Sequence, residues 1–169
     1  NEILSKTQWL CALGADAMGQ PWSQWKYGNT DHFVKLCPLW QLSLYSRVIK
    51  PEKYDFWPDL NELCRTHSYS NEGQKMTNML KFMCDAMGED LTDFFRTSGM
   101  LRTYDKYMLD YGNASLNISA QDSADVVSYA SKYAKPESPV LYYICANNID
   151  AFKNKAAVQG PFGQGVTTR

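Results

Sequence analysis

The most strongly patterned stretch of the chain covers residues 31–49, DHFVKLCPLWQLSLYSRVI. Its apolar side chains recur at helical spacing on one broad face, and polar side chains, including Ser43 and Ser46, share the opposite side. The pattern predicts a central helix packed inside the domain. Pro38 lies within it, and proline disfavours the helical state of the residue before it. We therefore expect a kink near Cys37 or a new helix with Pro38 in its first turn.

Gln41 falls inside the apolar arc of this predicted helix. A buried amide without hydrogen-bond partners costs about 1–3 kcal/mol, so the residue needs a role. Two interpretations stay open: an amide that ties down a neighbouring loop, or an amide that faces a substrate cleft.

Further helices are indicated by apolar spacing together with residues typical of helix ends. Five helices are expected: over residues 3–18, within 50–65, over 71–88, over 89–99, and from Ser119 to before Pro136. Pro58 is expected in the first turn of the second helix. Asn71, Asp90 and Ser119 are the expected caps of the last three, and Gly88 is expected to end the 71–88 helix. Gln74 is the expected capping-box partner of Asn71, and a methionine stripe between them and Gly88 is expected to face the core. Leu116–Ile118 is expected to be a short extended piece.

The C-terminal part differs in character from the helical stretches. Residues 139–146 are β-prone, 147–154 favour one helical turn, and 157–166 are rich in glycine. The predicted fold class is mainly α, an orthogonal or bundle-like subdomain with a short β-prone, glycine-rich tail. We expect a helical subdomain over residues 1–155 and a linker toward a following domain over 156–169.

Composition narrows the possible partners of the chain. Its 169 residues suit one domain, and 17 basic against 18 acidic residues give nothing that steers it toward nucleic acid or an anionic membrane. No apolar run approaches the roughly 18 residues needed to span a bilayer. The five cysteines show no metal-binding or disulfide spacing and are expected to be mostly buried thiols. A start without Met and an end without a closing element suggest a piece of a longer protein.

The chain lacks a visible catalytic constellation. His32 and His67 do not have the H-E-x-x-H spacing of a catalytic zinc site, and no G-x-S-x-G motif is present. A lone histidine near a helix end is typically a cap or a surface residue. Acidic pairs such as Asp90 and Asp93 are explained by helix starts, which favour negative charge. The chain by itself is therefore expected to hold no metal and to be inactive.

Three blocks in order, FVKLCPLWQLSLY (33–45), DFWPDLNELCR (55–65) and DLTDFFRTSGML (90–101), resemble the enhancin-like zinc metallopeptidases. Members of that family are secreted or cell-surface peptidases that act on mucin-type glycoproteins. The resemblance spans roughly residues 30–112 and weakens up to about 155. The family's H-E-x-x-H helix and downstream glutamate precede these blocks, so its zinc ligands match no residue here.

The resemblance implies that this chain is the helical C-terminal part of a peptidase catalytic domain. Zinc would belong to the parent protein, the partner would be a glycoprotein or glycopeptide substrate, and the location would be secreted or cell-surface. The helical part would form one wall of the substrate cleft. Trp40, Gln41 and Tyr45 are the candidate substrate-binding residues, and they suit the packed core of the subdomain equally well.

Two other readings of the sequence stay open. In the first, the chain is a non-catalytic helical module that binds glycans or a protein through Trp22, Trp25 and Tyr27. The same aromatic side chains are also suited to packing over helix ends. In the second, the chain is a purely structural helical domain, which requires only the apolar stripes.

Overall fold

A computed structural model describes residues 37–167, except 99, 110–112, 138, 143, 145–148, 154–156 and 160–164. The predicted first helix, the Trp22–Tyr27 loop and His32 lie outside the described residues. The chain divides into two compact units, one formed by residues 1–55 with 137–169 and the other by residues 56–136.

In the described part of the chain, six α-helices and four short strands follow one another. They are α1 (Cys37–Leu44), α2 (Phe56–Arg65), α3 (Glu72–Met87), α4 (Thr92–Thr97), β1 (Tyr104–Leu109), β2 (Asn113–Ile118), α5 (Ala120–Ala130), α6 (Ile149–Lys153), β3 (Ala157–Gln159) and β4 (Gly165–Thr167). A π-helical segment, Tyr45–Ile49, directly continues α1, and 3-10 turns lie at Pro51–Lys53 and Pro139–Tyr142. The fold is mainly α, as the sequence predicts.

The central helix is buried more completely than its pattern predicts. Pro38 lies in the first turn of α1 as described, but Ser43 and Ser46, expected on the polar side, are only 3 % and 0 % exposed. The Ser46 hydroxyl donates a hydrogen bond to the Ser43 carbonyl oxygen at 3.0 Å. A serine hydroxyl that donates to a carbonyl oxygen of its own helix keeps a hydrogen bond when it is buried. Its burial therefore costs little free energy. The serines on the polar side are therefore buried as well, which agrees with a central helix packed inside the domain.

Helix α3 begins and ends at the predicted residues. The Asn71 side chain accepts from the Gln74 backbone N–H at 2.9 Å, and Gly88 ends the helix in the left-handed conformation with φ 71°. One detail differs from the predicted capping box. The Gln74 side chain accepts from the N–H and hydroxyl of Ser70, one residue before the cap. Local signals therefore fix both ends of this helix.

The methionine stripe of α3 lies in the core of the second unit, as predicted. Met76, Met83 and Met87 are buried there, and Met79 is half-buried. The core is completed by side chains from the neighbouring elements: Phe56, Leu60, Leu80, Leu91, Phe94, Phe95, Met100, Leu116, Ile118, Val126 and Ala130. Burial of one such side chain contributes about 1.5–3 kcal/mol.

Strands β1 and β2 form an antiparallel hairpin, with Tyr104 opposite Ile118 and Asp105 opposite Asn117. The sequence predicted only the extended piece at its end, Leu116–Ile118. The partner strand was missed because strand pairing depends on residues that are distant along the chain. Helix α3 packs against β2 and α5.

In the other unit, the β-prone segment forms a 3-10 turn at Pro139–Tyr142 instead of a strand. Its apolar residues Val140, Leu141 and Ile144 are buried, and the Ile144 N–H donates to the Val140 carbonyl oxygen at 2.9 Å. Burial of all three side chains explains a strand-like composition in a turn. The helical turn expected nearby is confirmed as α6, and β3 pairs with β4 antiparallel.

Across the described ranges, no helix combines the length and apolar character that crossing a membrane requires.

Candidate functional site

The three residues singled out by the sequence lie on α1 and at its junction with the π-helical segment. Gln41 and Tyr45 are four positions apart, share one side of the helix, and are each only 1 % exposed. Trp40 is half-buried. Of the three residues, Trp40 therefore has exposed side-chain surface, whereas Gln41 and Tyr45 lie in the interior.

The indole of Trp40 carries an enclosed polar atom. Its Nε1 is buried and has no hydrogen-bond acceptor among the described residues. A buried indole N–H usually has a partner, because leaving a buried donor without one costs about 1–3 kcal/mol. Because the N–H is enclosed by the protein, only the exposed part of the Trp40 ring can contact another molecule.

The backbone changes its helical form immediately after these residues. From Tyr45 to Ile49 it is π-helical, and the Lys50 N–H donates to the Tyr45 carbonyl oxygen at 3.0 Å. The wider turn changes the register of every side chain beyond Tyr45. Single π-helical turns within α-helices occur frequently at functional sites.

These residues supply an aromatic ring, an amide and a phenol, groups that are suited to binding. Among the described residues, no group of three or more His, Cys, Asp or Glu side chains could hold a metal ion. The Cys84 thiol is fully buried, and burial raises its pKa to about 12, so it is not a thiolate nucleophile at neutral pH. His67 is exposed, and its Nδ1 lies 2.7 Å from the Leu63 carbonyl oxygen at the end of α2, as expected for a cap.

The acidic residues near α4 also have structural partners. Asp90 is buried, and its Oδ1 accepts from the N–H and the hydroxyl of Thr92 at 2.9 and 2.6 Å. Asp93 forms ion pairs with Lys135 and Arg96. The expected Asp90 cap is wrong, because α4 begins at Thr92 with Leu91 at the N-cap position and no side-chain cap hydrogen bond. Asp93 lies in the first turn, as expected from the preference of helix starts for negative charge.

A second polar cluster, which the sequence did not indicate, joins α3 to the end of α5. The Asp85 carboxylate accepts hydrogen bonds from the hydroxyls of Tyr129 and Tyr133, both at 2.7 Å, and its Oδ1 lies 2.9 Å from the Lys132 ammonium. The ammonium also lies 3.8 Å from the centre of the Tyr129 ring. The spacing of Tyr129 and Tyr133, four residues apart, was the available signal, but their partner is more than forty residues away.

Opposing effects set the protonation of this cluster. Burial alone would raise the pKa of Asp85, but the hydrogen bonds from Tyr129, Tyr133 and Lys132 hold that pKa below its usual value. Contacts with Tyr129 and Asp85 raise the pKa of Lys132. The carboxylate and the ammonium are therefore both charged at neutral pH, and the cluster acts as a clamp between two helices. We call it the Asp85 clamp.

Comparison with solved structures adds the decisive observation about the fold. A metallopeptidase from Bacteroides thetaiotaomicron matches 80 % of this chain with a TM-score of 0.66 and 23 % sequence identity. A metallopeptidase in complex with Tn antigen matches 86 % of it with a TM-score of 0.65 and 19 % identity.

The chain has the fold of part of a metallopeptidase.

It spans 24 % and 33 % of the lengths of these two proteins. The likeness therefore concerns a portion of each metallopeptidase, and it agrees with the peptidase resemblance of the three sequence blocks at the level of fold. No protein-family model matches the chain. No curated protein matches it either.

Proposed function

We propose that this chain is the helical subdomain of a zinc metallopeptidase that cleaves mucin-type glycoproteins, and that it forms one wall of the substrate cleft. The observation that carries the proposal is the fold likeness to two metallopeptidases over 80–86 % of the chain. One of those two proteins is in complex with Tn antigen, which supports a glycoprotein or glycopeptide substrate.

The zinc would be held by another part of the complete protein, where it would supply Lewis-acid chemistry for peptide hydrolysis. The chain's own residues bind and orient the substrate. Trp40 presents the exposed part of its ring to the substrate, while the buried Gln41 and Tyr45 hold the helix in position. In this proposal the chain alone has no activity, and the complete enzyme acts outside the cell or at its surface.

The proposal is tested by comparing the complete protein with the isolated 169-residue chain. Bound zinc is measured by mass spectrometry, and cleavage of a purified mucin is followed by electrophoresis. We expect zinc and cleavage in the complete protein, loss of cleavage after chelation, and neither property in the chain alone. A complete protein with no zinc and no cleavage would overturn the proposal and favour a non-catalytic binding module.

A further inference from the structure

The open end of the β1–β2 hairpin borders a shallow cavity of about 330 Å³, which is open to solvent and lined mostly by apolar surface. Three consecutive residues from each side of the hairpin line it: Thr103, Tyr104, Asp105, Asn117, Ile118 and Ser119. This volume lies at the lower end of the range for small-molecule sites. It suits a ligand of about the size of one sugar ring.

Asp105 and Asn117 supply the polar groups of this cavity. The two residues are opposite each other across the hairpin, and both are exposed. With its nitrogen turned toward the acceptors, the Asn117 amide donates to Asp105 Oδ1 at 3.1 Å and to the Leu116 carbonyl oxygen at 3.2 Å. A carboxylate can accept about four hydrogen bonds, so the pair keeps acceptor capacity for ligand hydroxyl groups.

The hydroxyls at the edge of the cavity differ in their availability. The Ser119 hydroxyl donates to Asp122 Oδ2 at 2.6 Å and accepts from the Asp122 N–H at 3.1 Å, so it is committed to the cap of α5. Thr103 is exposed at the opposite side. The polar set that can meet a ligand is therefore one carboxylate, one amide and one hydroxyl.

The backbone that carries Asn117 is held rigidly. Gly73 of α3 approaches it so closely that a Cβ atom on Gly73 would lie 2.0 Å from the Asn117 carbonyl oxygen. The flanking residues Leu116 and Ile118 are buried, and the capping box of α5 begins at Ser119. Sites on rigid elements hold their polar groups in place before the ligand arrives, which lowers the entropic cost of binding.

We propose that this hairpin cavity binds a neutral, hydroxyl-rich ligand, namely a hexopyranose sugar. A single carboxylate with an amide and a hydroxyl is a poor match for a metal ion, because metal ions usually take several charged ligands. The same carboxylate repels anionic ligands. Sugar hydroxyls can donate to the Asp105 carboxylate and to the amide oxygen of Asn117. The site lies within the 56–136 unit, and the proposal does not depend on peptidase activity.

The test is a titration of the isotopically labelled 169-residue chain with free N-acetylgalactosamine and with glucose, followed by NMR. A single ring on an open site is expected to bind with a millimolar Kd. We expect at least one sugar to shift the amide signals of residues 103–105 and 117–119. Asp105→Asn, which keeps the shape but removes the charge, is expected to weaken binding about tenfold.

The matched control is Asp125→Asn, a change at an exposed carboxylate on α5 that does not line the cavity. It is expected to bind the sugar like the unaltered chain. No shift at the six cavity residues with either sugar would overturn the proposal. Equal binding by Asp105→Asn and the unaltered chain would overturn it as well. Because no cleavage is measured, the result is separate from that of the peptidase assay.

Discussion

The indole of Trp40 is half-buried, and its N–H has no acceptor among the described residues. Gln41 and Tyr45, predicted beside it as substrate contacts, are buried almost completely. Direct contact with a substrate is therefore assigned to Trp40 in the proposal, and positioning of the helix is assigned to the other two. Their roles stay predictions.

In the complete protein, Trp40→Ala should raise the KM for a glycopeptide substrate about fivefold to tenfold, because it removes the exposed ring surface, a contact worth about 1–1.5 kcal/mol. The measurement is steady-state peptide cleavage. Trp57→Ala is the matched control, since Trp57 is also half-buried and its ring packs edge-on against Phe56 at 4.9 Å. An equal change of KM in both variants would show that Trp40 acts only through packing.

At Gly73, a single added Cβ atom determines whether a substitution stabilises or destabilises the fold. Alanine within a helix is normally more stable than glycine by about 1 kcal/mol. Here the added Cβ would meet the Asn117 carbonyl oxygen at 2.0 Å, so Gly73→Ala should instead destabilise the chain by about 1–3 kcal/mol. Urea unfolding measures the change, with Ser128→Ala on the exposed side of α5 as control. A stabilised Gly73→Ala variant would contradict the close packing of α3 on β2.

The Asp85 clamp connects two helices that are distant along the chain. Its carboxylate is 19 % exposed and accepts from two tyrosine hydroxyls and one lysine. Because the folded pKa of Asp85 is depressed, its contribution to stability is fully present above the unfolded pKa of about 3.9. That contribution is lost as the pH falls through the folded pKa.

Asp85→Asn should therefore lower the free energy of unfolding by about 1–3 kcal/mol at neutral pH, and the difference from the unaltered chain should shrink as the pH falls below about 4. Urea unfolding across this pH range provides the measurement. Asp125→Asn, at an exposed site, is the control and should differ little at any pH. A difference that stays constant with pH would mean that the charge of Asp85 does not stabilise the clamp.

Helix α5 depends on a capping box at its start. The Ser119 hydroxyl accepts from the Asp122 N–H, while the Asp122 carboxylate accepts from the Ser119 N–H at 2.8 Å. Ser119→Ala should lower the free energy of unfolding by about 0.5–2 kcal/mol, whereas Ser128→Ala in the same helix should be nearly neutral. Equal effects of the two changes in thermal unfolding would contradict the assignment of the cap.

The elements that the sequence predicted well are those defined by neighbouring residues. Asn71 and Gly88 bound α3, and Ser119 caps α5, because caps act within one turn. The elements that were missed depend on distant partners. Tyr104 pairs with Ile118, and Asp85 meets tyrosines 44 and 48 residues away. No local pattern carries such contacts.

For the molecule as a whole, the described residues provide a mainly α scaffold with binding groups and no metal-ligand cluster of their own. The fold matches 24 % and 33 % of the lengths of two metallopeptidases. The roles proposed for this chain and for the rest of the protein follow from this partial coverage. In the proposal, the chain would contribute a wall for the substrate, and the metal chemistry would be supplied elsewhere in the complete protein. The linker role of residues 156–169 stays a prediction.

The most direct measurement is cleavage, by the complete protein, of one peptide prepared with and without Tn antigen on its serine or threonine. We predict that the glycosylated peptide is cleaved, that chelation abolishes cleavage, that added zinc restores it, and that the bare peptide is a much poorer substrate. Equal cleavage of both peptides, cleavage that survives chelation, or no cleavage of either peptide would contradict the account.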